Sequence, residues 1–200
     1  MNRAVYAMET GKTDDELCRG DLSTTPLVNS VAVLNTCGLL AVRDGRMKDA
    51  RGAFATIQER LGGGAGETGA SAHEMAMPMP GHAPSTSSPL DRKTAEVMMQ
   101  QLQAELWLAE GKQEQGLQLL AKTAAAEDAL TFEFGPPVPL KPAHELYGEE
   151  LLAAHHPKEA REEFQRALAR APKRAQSLRG LAKAEAAAGD TAAAHVTSRR

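Results

Sequence analysis

The sequence predicts an all-α protein built from about four antiparallel helix pairs and interrupted by a flexible linker. Three observations carry this. Hydrophobic residues make up 42% of the chain but aromatic ones only 4%, with alanine supplying much of the apolar share. Such a composition favours helices packed against helices at close range. Few segments alternate β-branched residues at period two, so a sheet is not expected. Helix start and stop signals then recur along the chain, with small and large residues at repeated spacings.

Taken in order, residues 1–61 read as a helical segment containing one hairpin. The opening MNRAVYAMETGK is helix-like and has no long apolar core, so it is no secretory signal. In TTPLVNSVAVLNTCGLLAV, Thr25 is the expected N-cap and Pro26 falls in the first turn. The two cysteines, Cys18 and Cys37, are too few for a disulfide framework, and Cys37 in its apolar run reads as a buried free thiol. Residues 62–90 are rich in Gly, Ser, Pro and Met without amphipathic period, the composition of a flexible linker. Residues 91–200 read as helical repeats. Their first helix is announced by Ser88, Pro89 and Asp91, a capping-box spacing with proline just inside. The segment TFEFGPPVPL is an insertion between hairpins, and Pro172 stops the helix that ends near Ala171.

Within FQRALARAPKRAQSLRGLAKAEAAAGD the spacing becomes diagnostic. Ala167, Phe164, Ala160 and Gly148 precede Pro172 by 5, 8, 12 and 24 residues. This pattern resembles the tetratricopeptide repeat (TPR), a helix-turn-helix unit of about 34 residues. His144, Tyr147 and Leu151 stand where the family has tryptophan, leucine and tyrosine, and His155 stands at the usual turn glycine. Shifting by one repeat gives Leu178, Leu181, Ala182, Gly189 and Ala194; upstream the template fits Ala104, Trp107, Gly111, Gly116 and Leu120, and again Leu34, Gly38, Gly45, Ala50 and Phe54. The resemblance implies small residues where paired helices cross, a phenylalanine filling the gap between repeats, and a solenoid with a concave groove that binds an extended peptide or partner helix.

In that register Glu145 and Glu149 of the third repeat project into the groove. Arg179 and Lys183 of the fourth lie at equivalent positions opposite them, and Gln101 and Glu105 continue the surface. The expectation is an exposed, partly self-neutralising network. A plain solvated face fits the same residues. Phe132 and Phe134, half of the four phenylalanines, are read as packing over the second hairpin or as a partner-contacting loop.

Catalysis finds no support. HELYG at 144–148 lies one residue from the zinc-peptidase motif HExxH, but the second ligand position is Gly148, and His155 lies eleven residues beyond His144. That is about 16 Å along a helix, far beyond a shared ion. Gly11-Lys12-Thr13 lacks the upstream glycine of a phosphate loop, Pro136–Pro139 reads as a stiff connector, and no Ser/His/Asp or Cys/His set assembles. A net charge of −3 gives no reason to expect nucleic acid, and no run of about eighteen apolar residues predicts a membrane span. The chain therefore reads as a non-enzymatic protein–protein interaction scaffold without cofactor. Its compartment is cytoplasmic by default, or periplasmic or secreted if a targeting segment lies upstream. The alternative is a metal-handling protein whose loop 73–82, with Met75, Met77, Met79, His73 and His82, gathers soft ligands around Cu(I).

Overall fold

Four successive helix pairs form the body of the protein in a computed structural model that describes residues 2–12, 15–63, 88–130 and 138–200. The pairs are α3 (Leu27–Arg43) with α4 (Met47–Gly63), α5 (Pro89–Ala109) with α6 (Gln113–Asp128), α7 (Ala143–Ala153) with α8 (Pro157–Arg170), and α9 (Ala175–Ala187) with α10 (Thr191–Thr197). Two further helices, α1 (Asn2–Thr10) and α2 (Asp15–Arg19), precede them. Among the described residues there is no strand. Each helix packs on its hairpin mate, and successive hairpins pack on one another.

The same turn closes all four hairpins. Gly45, Gly111, His155 and Gly189 have φ of 74°, 79°, 63° and 90°. In each case the next residue donates its N–H five residues back: Arg46 to Ala41, Lys112 to Trp107, His156 to Leu151 and Asp190 to Glu185, at 2.7–2.9 Å. This pairing satisfies the last carbonyls of the first helix and requires a left-handed residue, which is why glycine recurs there. His155 takes that conformation at a cost glycine would avoid.

Other ends follow local chemistry too. The Ser88 hydroxyl accepts from the Asp91 N–H at 3.0 Å while the Asp91 carboxylate accepts from the Ser88 N–H at 3.1 Å, with Pro89 opening α5. The start of α3 differs from expectation. Thr25 is not the N-cap: Pro26, extended at ψ 148°, takes that position and the helix begins at Leu27. A proline's fixed φ suits either place, so the signal left the boundary uncertain by one residue.

Packing explains the small residues. Phe164 of α8 is fully buried between α7 and α9. A Cβ on Gly148 would stand 3.1 Å from its ring, and one on Gly180 only 2.2 Å away. The ring therefore occupies volume that two missing side chains leave free. Gly180 is thus the point of close approach between α9 and α8. Gly38 meets Leu102 in the same way where α3 crosses α5. Nearby, the buried Asn35 amide donates to the Met98 carbonyl at 2.6 Å.

The cysteines correct the sequence reading. Cys18 of α2 and Cys37 of α3 are joined as a disulfide, and Cys37 is not a free thiol. A bond between residues 19 apart pins α2 to the first hairpin.

Candidate functional site

Beside the α7–α9 contact the surface opens into a cleft of about 490 Å³. Leu152, Ala153, Gly180 and the edge of Phe164 supply its apolar lining, and Glu149, Gln176, Arg179 and Lys183 its polar rim. Arg179 and Lys183 stand one helical turn apart on the exposed face of α9. Arg179 reaches only the Ala175 carbonyl, at 3.3 Å, and among the described residues neither cation pairs with a carboxylate. Glu149, by contrast, accepts from Lys141 at 2.6 Å, so its charge is already answered.

The remaining groove candidates lie elsewhere. Glu145 is fully buried and is not a groove contact. Its carboxylate takes two N–H donors of Arg174 at 2.7 and 3.0 Å, the ammonium of Lys141 at 3.1 Å and the Ser177 hydroxyl. Burial opposes its ionisation, but Lys141, Arg174 and Ser177 outweigh that and hold the carboxyl below its ordinary range. The expected neutralisation by Arg179 and Lys183 does not occur. The partners come instead from Lys141, just before α7, and Arg174, just before α9, where a helical register has no predictive hold.

Gln101 is likewise fully buried, and its amide donates to the Lys141 carbonyl at 2.8 Å, tying α5 to the segment entering α7. Glu105, half-buried one turn further along α5, has its Oε1 buried and without a partner among the described residues. Burial, then the nearby carboxylates of Glu150 and Glu149, push it well above the usual carboxylate range, with Lys141 opposing. Gln101 is corrected from groove surface to interior, and Glu105 to a half-buried position. Phe132 and Phe134 lie outside the described residues, as does the loop 73–82 of the copper alternative.

The opening histidine of HELYG is structural. His144, nearly buried, lies 2.6 Å from Glu163 through Nδ1 and 3.0 Å from Asp128 through Nε2, joining α7 to α8 and to the end of α6. Burial works against its charge, yet the two carboxylates prevail and raise its pKa above the ordinary histidine value. Among the described residues no group of three or more His, Cys, Asp or Glu could hold a metal ion, and no helix is long and apolar enough to cross a membrane.

Sequence inspection missed the role of α1. Its Met8 and Glu9 carbonyls accept from the Gln176 amide at 3.1 and 2.9 Å, and the Glu9 carboxylate pairs with Arg174 at 2.6 Å. At its other contact the Gly11 carbonyl accepts from Arg43 at the end of α3. Ala4, Ala7 and Met8 form its buried face. The alternation of these small residues with exposed Tyr6 was the only available signal. Comparison with known protein families, curated proteins and solved structures finds no match.

Proposed function

We propose that this chain is a TPR-like solenoid acting as a non-enzymatic interaction scaffold, and that the cleft between α7 and α9 receives an acidic segment of a protein partner. The observation that carries this is the pair Arg179 and Lys183, two cations with no carboxylate partner among the described residues, at the rim of an apolar-lined cleft. An extended segment could place an aliphatic side chain against Leu152 and Gly180 and a carboxylate against the α9 cations. Four hairpins with one turn geometry support the repeat reading. Their packing holds the cleft in shape before a partner arrives, so little ordering entropy is lost on binding.

The Cys18–Cys37 bridge supports the periplasmic or secreted alternative over the cytoplasmic default, because such bonds persist in oxidising compartments. Fluorescein-labelled peptides, graded in acidity and built around a central leucine, test the cleft by anisotropy. Affinity is expected to rise with acidity and to fall at least tenfold in the Arg179→Glu/Lys183→Glu chain, with the helical circular-dichroism signal unchanged. Binding that ignores the double reversal, or no binding by any peptide, would reject this cleft as the site.

A further inference from the structure

We propose that α1 is an exchangeable ligand of the body formed by α3–α10: its seat is a helix-binding groove, filled here by the chain's own segment. The occupant this seat fits is a short helix with small or slender residues at i, i+3 and i+4 and a carboxylate at i+5. In α1 these are Ala4, Ala7, Met8 and Glu9. The seat is distinct from the cleft between α7 and α9, although Gln176 borders both.

Three features make α1 ligand-like. Its buried residues are two alanines and one methionine, with Val5 half-buried against the same core, and Tyr6 is left 58% exposed. A helix of nine residues has little stability of its own, so its order comes from the seat. Its first turn is tied to the neighbouring α2 by an exposed Arg3–Glu16 pair at 3.0 Å. The polar attachments to the body lie at and just beyond its C-terminal end and reach two distant parts of the chain. Gln176 and Arg174 hold Met8 and Glu9, while Arg43 holds Gly11. The body does not need α1 to complete its ion network. Arg174 keeps both hydrogen bonds to Glu145, and Gln176 keeps its contact with Lys141 at 3.2 Å. The disulfide anchors α2, not α1, so only residues up to the start of α2 must move for the seat to empty.

Tethering sets the terms of exchange. A segment joined by a short connection competes at an effective concentration on the order of millimolar, so a free helix of equal quality cannot displace it at micromolar concentration. A partner helix must offer more, for example a larger apolar residue or a second carboxylate.

The test uses the full chain and a fluorescein-labelled peptide of residues 2–12, followed by anisotropy. Wild-type protein should bind the peptide weakly. Ala7→Glu in the chain places a charge where the residue is 1% exposed, evicting its own α1, and should raise apparent peptide affinity at least tenfold. Glu9→Arg, set against Arg174, should raise it by a smaller factor. Arg179→Glu/Lys183→Glu should leave it unchanged, which separates this seat from the cleft above. If neither α1 variant binds the peptide more tightly than wild type, the proposal fails. It fails equally if Ala7→Glu removes hydrogen-exchange protection from α3 and α5, because α1 would then be core and not ligand. Concentration-dependent dimers of Ala7→Glu that outcompete the peptide would also overturn it, showing that the seat prefers another surface of this chain to a helix of the α1 pattern.

Discussion

Glu145 and Glu149 lie one turn apart on α7 and look alike in sequence, yet neutralising them should have very different consequences. Glu145→Gln keeps the shape and removes the charge that answers two buried cations. Lys141 is 7% exposed and Arg174 16%, and Glu145 itself is fully buried. Removing one partner of a buried pair costs about 3–5 kcal/mol, because the remaining charge stays desolvated. Here each cation retains a second carboxylate, Glu149 for Lys141 and Glu9 for Arg174, both at 2.6 Å. The expected loss is therefore about 2–4 kcal/mol. Glu149 is 40% exposed and has one partner, so Glu149→Gln should cost about 0–1 kcal/mol. Urea unfolding at neutral pH measures both; with a slope of roughly 2–3 kcal/mol per molar, Glu145→Gln should lower the midpoint by about 1 M. The pH dependence has a fixed sign. Because the folded state holds the Glu145 carboxyl below its ordinary value, its contribution is full above that value and is lost as pH falls through the lowered one. The gap between wild type and Glu145→Gln should therefore close in acid. Equal costs for the two variants, or a gap that widens in acid, would refute the buried-charge account.

Three further outcomes follow from the packing and the local charges. Gly180→Ala would set a Cβ 2.2 Å from the fully buried Phe164 ring and should cost about 1–3 kcal/mol in thermal or urea melts, whereas Gly148→Ala, at 3.1 Å, should cost less. Replacing Cys18 and Cys37 together by serine should lower stability by about 3 kcal/mol for a bridge spanning 19 residues, and the unreduced wild-type protein should show no thiol reactive toward a disulfide reagent under denaturant. His144 should contribute stability that is complete below the ordinary histidine pKa and is lost as pH rises through its raised folded value; the slope should vanish in His144→Gln, and the imidazole titration followed by NMR should lie above about 6.5.

What was legible in the sequence is what depends on neighbours along the chain. The hairpin turns could be read because one backbone conformation, positive φ, selects glycine at Gly45, Gly111 and Gly189. The α5 start could be read because Ser88 and Asp91 satisfy each other across three residues. Phe164 and Gly148 stood out because their spacing reflects a steric fit between consecutive helices. The site was less legible. Glu145 and Glu149 share a face by periodicity, but their difference in burial is set by Lys141 and Arg174, which sit in connecting segments without period. The disulfide was hidden for a similar reason. Cys18 lies in a helix of five residues whose placement against α3 follows from tertiary packing, and two cysteines 19 residues apart carry no geometric instruction.

If the proposed cleft receives a partner, the ion network sets which of its residues are available to it. Were Glu145 and Glu149 free, the face between α7 and α9 would be balanced, with two carboxylates against Arg179 and Lys183. Instead Arg174 and Lys141 consume the carboxylates from beneath. Among the described residues the α9 cations are thereby left without a counter-charge, on a chain whose net charge is −3. A buried pair is weak support for stability but fixes geometry well, since each donor has few alternative acceptors once desolvated. Glu145 thus ties α7 to the start of α9 through Arg174 and Ser177, and in the proposed cleft the choice of partner would rest on Arg179 and Lys183, which pair with no carboxylate among the described residues.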